Sequence, residues 1–328
     1  MDTVNKAALA GGARKMGQTD MVVSRLGYGA MELAGAPLAR DLSESDAIKF
    51  INRILDVGIN YIDTSIDYGL SETLIGKAIA HRRSEFFLAS KCGCQVGMEG
   101  TEKGESHTFT FENVMAGIEQ SLKRLRTDHL DVVQVHGSPT RKELEEGGAI
   151  EAMLKAKQQG KVRYLGISAR LPKLADFIDA DYFSVVQVPY SALQRHNEDA
   201  ITALRAAGKA VVCRGVTGRG APAKDWATRP IGTGDGEVRE IWEKARIDDM
   251  LDGMPPIEFM IRYVLTNEAV DVAIVATTNE KHLITNIEYA NAGPFNPRRF
   301  AEFKQRLAAA GSAPGIGKYH GGGPTPVL

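Results

Sequence analysis

Tyr61-Ile62-Asp63-Thr64-Ser65-Ile66-Asp67-Tyr68-Gly69 is the stretch on which the fold turns. Residues 61–64 read as a buried strand, and the rest as a tight loop before a helix opening near Glu72. A carboxylate leaving a strand end and a phenol on the next loop can point into one cleft. Two later runs also end in a titratable group: Phe86-Phe87-Leu88-Ala89-Ser90-Lys91 and Asp131-Val132-Val133-Gln134-Val135-His136. Asp63, Tyr68, Lys91 and His136 therefore form a candidate catalytic cluster at the C-terminal ends of separate parallel strands.

Working outward, short runs rich in Val, Ile and Leu recur at 26–30, 61–64, 86–91, 130–136, 162–168, 184–187, 210–215 and 270–275. Near-continuous apolar runs suit strands buried on both faces. Amphipathic stretches lie between them. Ser43 and Asp46 resemble a capping box, Ile48, Ile51 and Leu55 share a face, and Gly58 stops that helix. Val114, Ile118, Leu122 and Leu125 repeat the pattern, and Gly160 ends the next helix. Eight βα units predict a closed (β/α)8 TIM barrel, with active residues at C-terminal strand ends. The competing open doubly wound sheet wants Gly-x-Gly-x-x-Gly after its first strand. Gly27-Tyr28-Gly29 is followed by Ala30-Met31-Glu32, without the third glycine.

Residues 14–25 predict a β-hairpin turning at Gln18-Thr19-Asp20. Long connections at 92–110, 137–147 and 216–254 follow strands and are expected to wall a pocket on the active face. Residues 1–328 read as one domain, with 1–13 and the Gly- and Pro-rich 311–328 loosely ordered. A second reading folds that tail over the pocket, with Tyr319 and His320 touching substrate.

The chain has 328 residues, 43% hydrophobic and 25% charged, with formal net charge −1. That balance gives no footprint for nucleic acid or an anionic membrane surface. No apolar run approaches the ~20 residues of a membrane span. The N-terminus lacks the pattern of a secretory signal. Three cysteines, Cys92, Cys94 and Cys213, fit reduced thiols in a cytoplasm. Cys92-x-Cys94 has only His107 as a further ligand in its loop, so no metal site is expected. No heptad stripe marks an oligomer interface, and the oligomeric state is not readable.

The order Asp63, Tyr68, Lys91, His136 resembles the catalytic tetrad of the aldo-keto reductase superfamily, and the resemblance spans residues 17–286. It implies the barrel, with the hairpin across its bottom, and NAD(P)H-dependent reduction of a small-molecule aldehyde or ketone. Carbonyl reduction needs a hydride from the nicotinamide and a proton from the protein. Tyr68 is the candidate acid. Its phenol, with a free pKa of ~10, is expected to be lowered by Lys91, itself held charged by Asp63. His136 would hydrogen-bond the substrate oxygen or share the proton.

The resemblance also implies cofactor contacts. Gly29 and Met31 fall beside the cofactor, and Ser168 and Gln187 match holders of the carboxamide. Ala169 stands where the family has asparagine, and Arg214 where many members stack an aromatic ring. Gly215-Val216-Thr217-Gly218-Arg219-Gly220 resembles a pyrophosphate loop, in which Arg219 can pair with phosphate. Thr277 or Thr278 would cap the following helix, His282 takes the usual basic position near a 2′-phosphate, and Asn286 matches an adenine contact. NADPH is expected, with NADH as the alternative, because Ala276 occupies a position that is lysine in some members. Two other readings stand beside the reductase: a cofactor-binding regulatory subunit with vestigial activity, and a barrel aldolase using Lys91 as a Schiff base.

Overall fold

The computed structural model describes residues 8–36, 38–96, 107–218 and 236–315. A hairpin of Ala13–Lys15 (β1) and Val22–Ser24 (β2) comes first. Eight parallel strands then close into a barrel: Leu26–Gly29 (β3), Tyr61–Asp63 (β4), Phe87–Cys92 (β5), Leu130–Val135 (β6), Val162–Ser168 (β7), Val185–Pro189 (β8), Ala210–Arg214 (β9) and Val272–Val275 (β10). They neighbour one another in chain order, and β10 pairs with β3 to complete the ring.

The connecting helices follow their sequence signals. Glu44–Asp56 (α1) is capped by Ser43, whose side chain accepts from the Asp46 amide, and Gly58 leaves it at φ +89°. Ser71–Ile79 (α2) follows the loop that carries Tyr68. Phe111–Leu125 (α3) buries Val114, Ile118, Leu122 and Leu125. Arg141–Glu146 (α4), Ala149–Gln158 (α5), Glu198–Ala206 (α6), Gly236–Ala245 (α7), Pro256–Thr266 (α8), Glu280–Asn291 (α9) and Pro297–Ala309 (α10) complete the outer ring and its additions.

Strand alternation divides the core in two. Outward residues such as Ile62, Leu88, Val133, Ile167 and Val186 pack against the helices. Inward residues Tyr61, Ala89, Val132, Val185, Ala210, Val212, Val272 and Ile274 form a separate interior cluster with Met16, Met21 and Val23 of the hairpin. The hairpin thus plugs the N-terminal end of the barrel. Asp271 anchors it there, accepting from Arg14 Nε at 3.0 Å and from the Gly17 amide at 3.2 Å.

Some segments are more ordered than their composition suggests. Within 1–13, Ala10 is fully buried and bonds the backbones of Gly58 and Leu26. Within 311–328, Ser312 is buried and donates to the Ala192 carbonyl. The connection 137–147 holds α4, because Thr140 and Glu143 make a reciprocal capping box. The connection 216–254 holds α7 and a 3-10 turn at Ile247–Met250. Tyr319, His320, Arg219 and Gly220 lie outside the described residues.

Candidate active site

The alternation that fills the barrel floor with apolar side chains continues upward. It brings Gly29, Asp63, Lys91, Gln134, Ser168, Gln187 and Arg214 to the opposite, C-terminal mouth. Register fixes the neighbours: Gly29 lies beside Asp63, Lys91 beside Gln134, and Ser168 beside Gln187.

Asp63 is the hub. Its Oδ1 receives Lys91 Nζ at 2.6 Å, and its Oδ2 accepts from Gln134 Nε2 at 2.8 Å and Gln187 Nε2 at 2.9 Å. Lys91 also donates to the Thr64 carbonyl at 2.8 Å and is 1% exposed. Burial alone would lower the ammonium pKa, but Asp63 and the neighbouring Tyr68 and Asp67 hold it above its ordinary value. Lys91 Nζ lies 4.9 Å from the centre of the Tyr68 ring. The Tyr68 and His136 rings meet edge to face at 6.4 Å. The four sequence-predicted catalytic residues are thus brought together.

The electrostatics differ from expectation at Tyr68. Removal from water raises its pKa above the ordinary phenol value and outweighs the lowering by Lys91 and Arg214. His136 is pushed well below the usual imidazole range, first by burial and then by Lys91, His107 and Arg214, against the pull of Asp67. It is therefore neutral at pH 7. Its Nδ1 lies 3.2 Å from Cys94 Sγ and 3.6 Å from Asp67 Oδ2.

The predicted cofactor residues divide. Ser168 and Gln187 are buried at adjacent strand ends, with Ser168 donating to Gln187 Oε1 at 2.9 Å. Arg214 ends β9 close enough to act on both Tyr68 and His136. Gly29 closes β3, and Met31 sits in the 3-10 turn Ala30–Leu33 behind it. Gly215 takes φ +70° with nothing within 4 Å of where a Cβ would stand, and Gly218 takes φ +56°. After β10, the helix cap is a correction. Asn279, not Thr277 or Thr278, caps α9, its side chain accepting from the Lys281 and His282 amides. Thr277 Oγ1 instead accepts from the Asn279 amide at 3.1 Å and fixes the turn before the helix. His282 and Asn286 lie four residues apart on α9, one turn above the other.

Sequence reasoning missed Gln134, Asp67 and Cys94 as members of this cleft. Gln134 had a signal: a polar residue inside an apolar strand, two positions before His136 and so on the same face. Cys94 and His107 are joined by an isolated antiparallel bridge, and the fold carries both to His136.

The model of the aldo/keto reductase family matches residues 25–308. The chain is 28% identical over 292 residues to the uncharacterized oxidoreductase YqkF of Bacillus subtilis, covering 85% of this chain and 91% of that protein. It is 27% identical over 203 residues to the NADH-specific methylglyoxal reductase of Escherichia coli, covering 58% of this chain and 62% of the other. Among solved structures, the holo form of the aldo-keto reductase AKR11C1 from Bacillus halodurans superposes with a TM-score of 0.76 at 28% identity, over 90% of this chain and 95% of that one. No described helix is long and apolar enough to cross a membrane. The chain belongs to the aldo/keto reductase family, a family of oxidoreductases.

Proposed function

We propose that this protein reduces a small aldehyde or ketone reversibly to the alcohol with NAD(P)H, using Tyr68 as proton donor. The observation that carries the reading is the Asp63–Lys91 pair at 2.6 Å, with the ammonium 4.9 Å from the Tyr68 ring and His136 edge-on beyond it. As the Tyr68 proton leaves, the fixed ammonium stabilises the developing phenolate more than it stabilises the neutral phenol. Help of this kind is worth about 10²–10⁴-fold. His136, neutral and half-buried, orients the substrate oxygen without adding a charge that would repel Lys91.

The residues present fit a nicotinamide dinucleotide. Ser168 and Gln187 offer polar atoms side by side for a carboxamide, and Gly215 leaves open space for close approach of a phosphate. The guanidinium of Arg214 supplies a planar face for a ring. When bound, the reduced coenzyme supplies the hydride. NADPH remains the coenzyme we assign first, with His282 and Lys281 the cations near its 2′-phosphate, and NADH the alternative.

The state of Lys91 speaks against the aldolase reading. A Schiff-base lysine must be neutral to attack, whereas this one is ion-paired and held charged. The test is oxidation of NADPH and NADH with an activated aldehyde by wild type and Tyr68→Phe. Turnover by wild type, lost by at least 10²-fold in the variant with coenzyme affinity retained, is expected. Equal turnover in both removes Tyr68 as the acid, and borohydride trapping of substrate on Lys91 would replace the reductase with the aldolase.

A further inference from the structure

Beside the tetrad lies a cluster of a different chemical kind. The ligand atoms of Cys94, His107 and His136 all lie within 4.8 Å of one another. Cys94 Sγ is 3.2 Å from His136 Nδ1, and the two imidazoles meet edge to face at 5.3 Å. His107 Nε2 is buried with no hydrogen-bond partner, an arrangement that costs free energy unless something satisfies it.

The backbone holds this arrangement in place. Thr108 donates to the Gly93 carbonyl at 2.7 Å, and His136 to the Cys92 carbonyl at 3.0 Å. Asn113 Nδ2 donates to the carbonyls of Cys94 and Thr108 at 3.1 and 2.8 Å. The His107 ring stacks on Phe109 and lies against Gly137, where a Cβ would stand 2.9 Å from it. Three donors are thus presented from two loops over one spot.

We propose that Cys94, His107 and His136 form a three-ligand site for a borderline-soft divalent cation, zinc being the fitting case, and that occupancy withdraws His136 from the cleft's chemistry. One thiolate with two imidazoles is a donor set for such an ion, and three protein ligands leave a fourth position open. Bonds of ~2.0–2.3 Å separate tetrahedral donors by about 3.3–3.6 Å, so the set closes by about 1 Å of side-chain movement. Binding exchanges the Cys94 thiol proton for the metal and releases that proton to solvent. The carboxylate of Asp67, 3.6 Å from His136 Nδ1, adds negative charge beside the ion. The coordination stands on geometry alone, while the blocking effect rests on the role given to His136 above.

The full chain, reduced and freed of metal by chelation, is titrated with cobalt(II) and then challenged with zinc. A thiolate-to-cobalt charge-transfer band at one equivalent, displaced by zinc, is expected. The band should vanish in Cys94→Ala, persist in Cys213→Ala, and need at least tenfold more cobalt in His107→Ala. No band in the wild type, or a band that survives Cys94→Ala, would overturn the site. Aldehyde reduction is then compared with and without zinc within each variant. Zinc should slow the wild type and lose at least tenfold in potency against His107→Ala. Zinc bound without effect on turnover overturns the blocking role. Absent turnover in metal-free protein counts against the reductase reading instead, and the cobalt band still judges the site.

Discussion

Gln134 donates a 2.8 Å hydrogen bond to Oδ2 of Asp63, the carboxylate whose other oxygen holds the Lys91 ammonium. The same Gln134 carries an Oε1 with no hydrogen-bond partner in the barrel interior. It therefore stabilises the hub with one atom and leaves an unsatisfied acceptor with the other. Gln134→Leu should change global stability by only about 1 kcal/mol, because a bond and an orphan acceptor disappear together. Turnover should fall about tenfold as Asp63 loosens, with the KM for coenzyme nearly unchanged. Urea unfolding and steady-state kinetics on one preparation check both parts. A large loss of stability with normal turnover would show that Gln134 supports the fold and not the site.

In the proposed reading, coenzyme choice turns on charge after β10. Ala276 is exposed there, and Glu280 in the first turn of α9 is paired with Arg53 at 2.8 Å. Ala276→Lys should lower the KM for NADPH about tenfold through a charge-assisted contact with phosphate and leave that for NADH alone. The ratio of kcat/KM for the two coenzymes reads this directly. An equal change for both would place the 2′-phosphate elsewhere.

Gly76 sits inside α2, where alanine ordinarily gains about 1 kcal/mol. Here a Cβ would stand 2.3 Å from the Arg124 carbonyl oxygen on α3. Backbone so close cannot give way cheaply, so Gly76→Ala should destabilise by about 1–3 kcal/mol. A fall in the urea midpoint is expected. A rise would mean that the helix pair slides apart freely.

Glu198 gives the acid sensitivity a named source. Burial would raise its pKa, but Arg195 at 2.7 Å and Lys304 at 2.5 Å hold it below the usual carboxylate range. A carboxyl with a depressed folded pKa stabilises above its unfolded value of ~4.3 and loses that stabilisation as pH falls through the folded value. The stability gap between wild type and Glu198→Gln should be flat from pH 6 upward and narrow below about pH 4.5. Denaturation curves across this range check the sign. A gap that widens in acid would overturn the assignment.

The barrel was legible because its strands are buried on both faces, so each wrote a largely apolar run into the sequence. Val162–Ser168 was bounded to the residue although Arg163 interrupts it. That Asp63, Tyr68, Lys91 and His136 come together was legible from their places at or just after strand ends. Three things were not. The cap of α9 went to Asn279, whose side chain takes the Lys281 and His282 amides, while Thr277 accepts from the Asn279 amide in the turn before it, so the threonines next to β10 sit a step too early. The Tyr68 proton is held more tightly than Lys91 alone suggests, because burial has no signature in local sequence. The meeting of Cys94 with His136 joins loops 42 residues apart in sequence, which the pairing of β5 with β6 brings side by side.

The plug at the barrel floor has a practical meaning. The candidate active site sits at one pole of the molecule, while Val22 of the hairpin is 48% exposed at the other. A single reactive handle introduced at Val22 would tether the protein to a bead or electrode with its cleft facing the bulk solution. The hairpin thus provides a ready orientation axis for immobilised use.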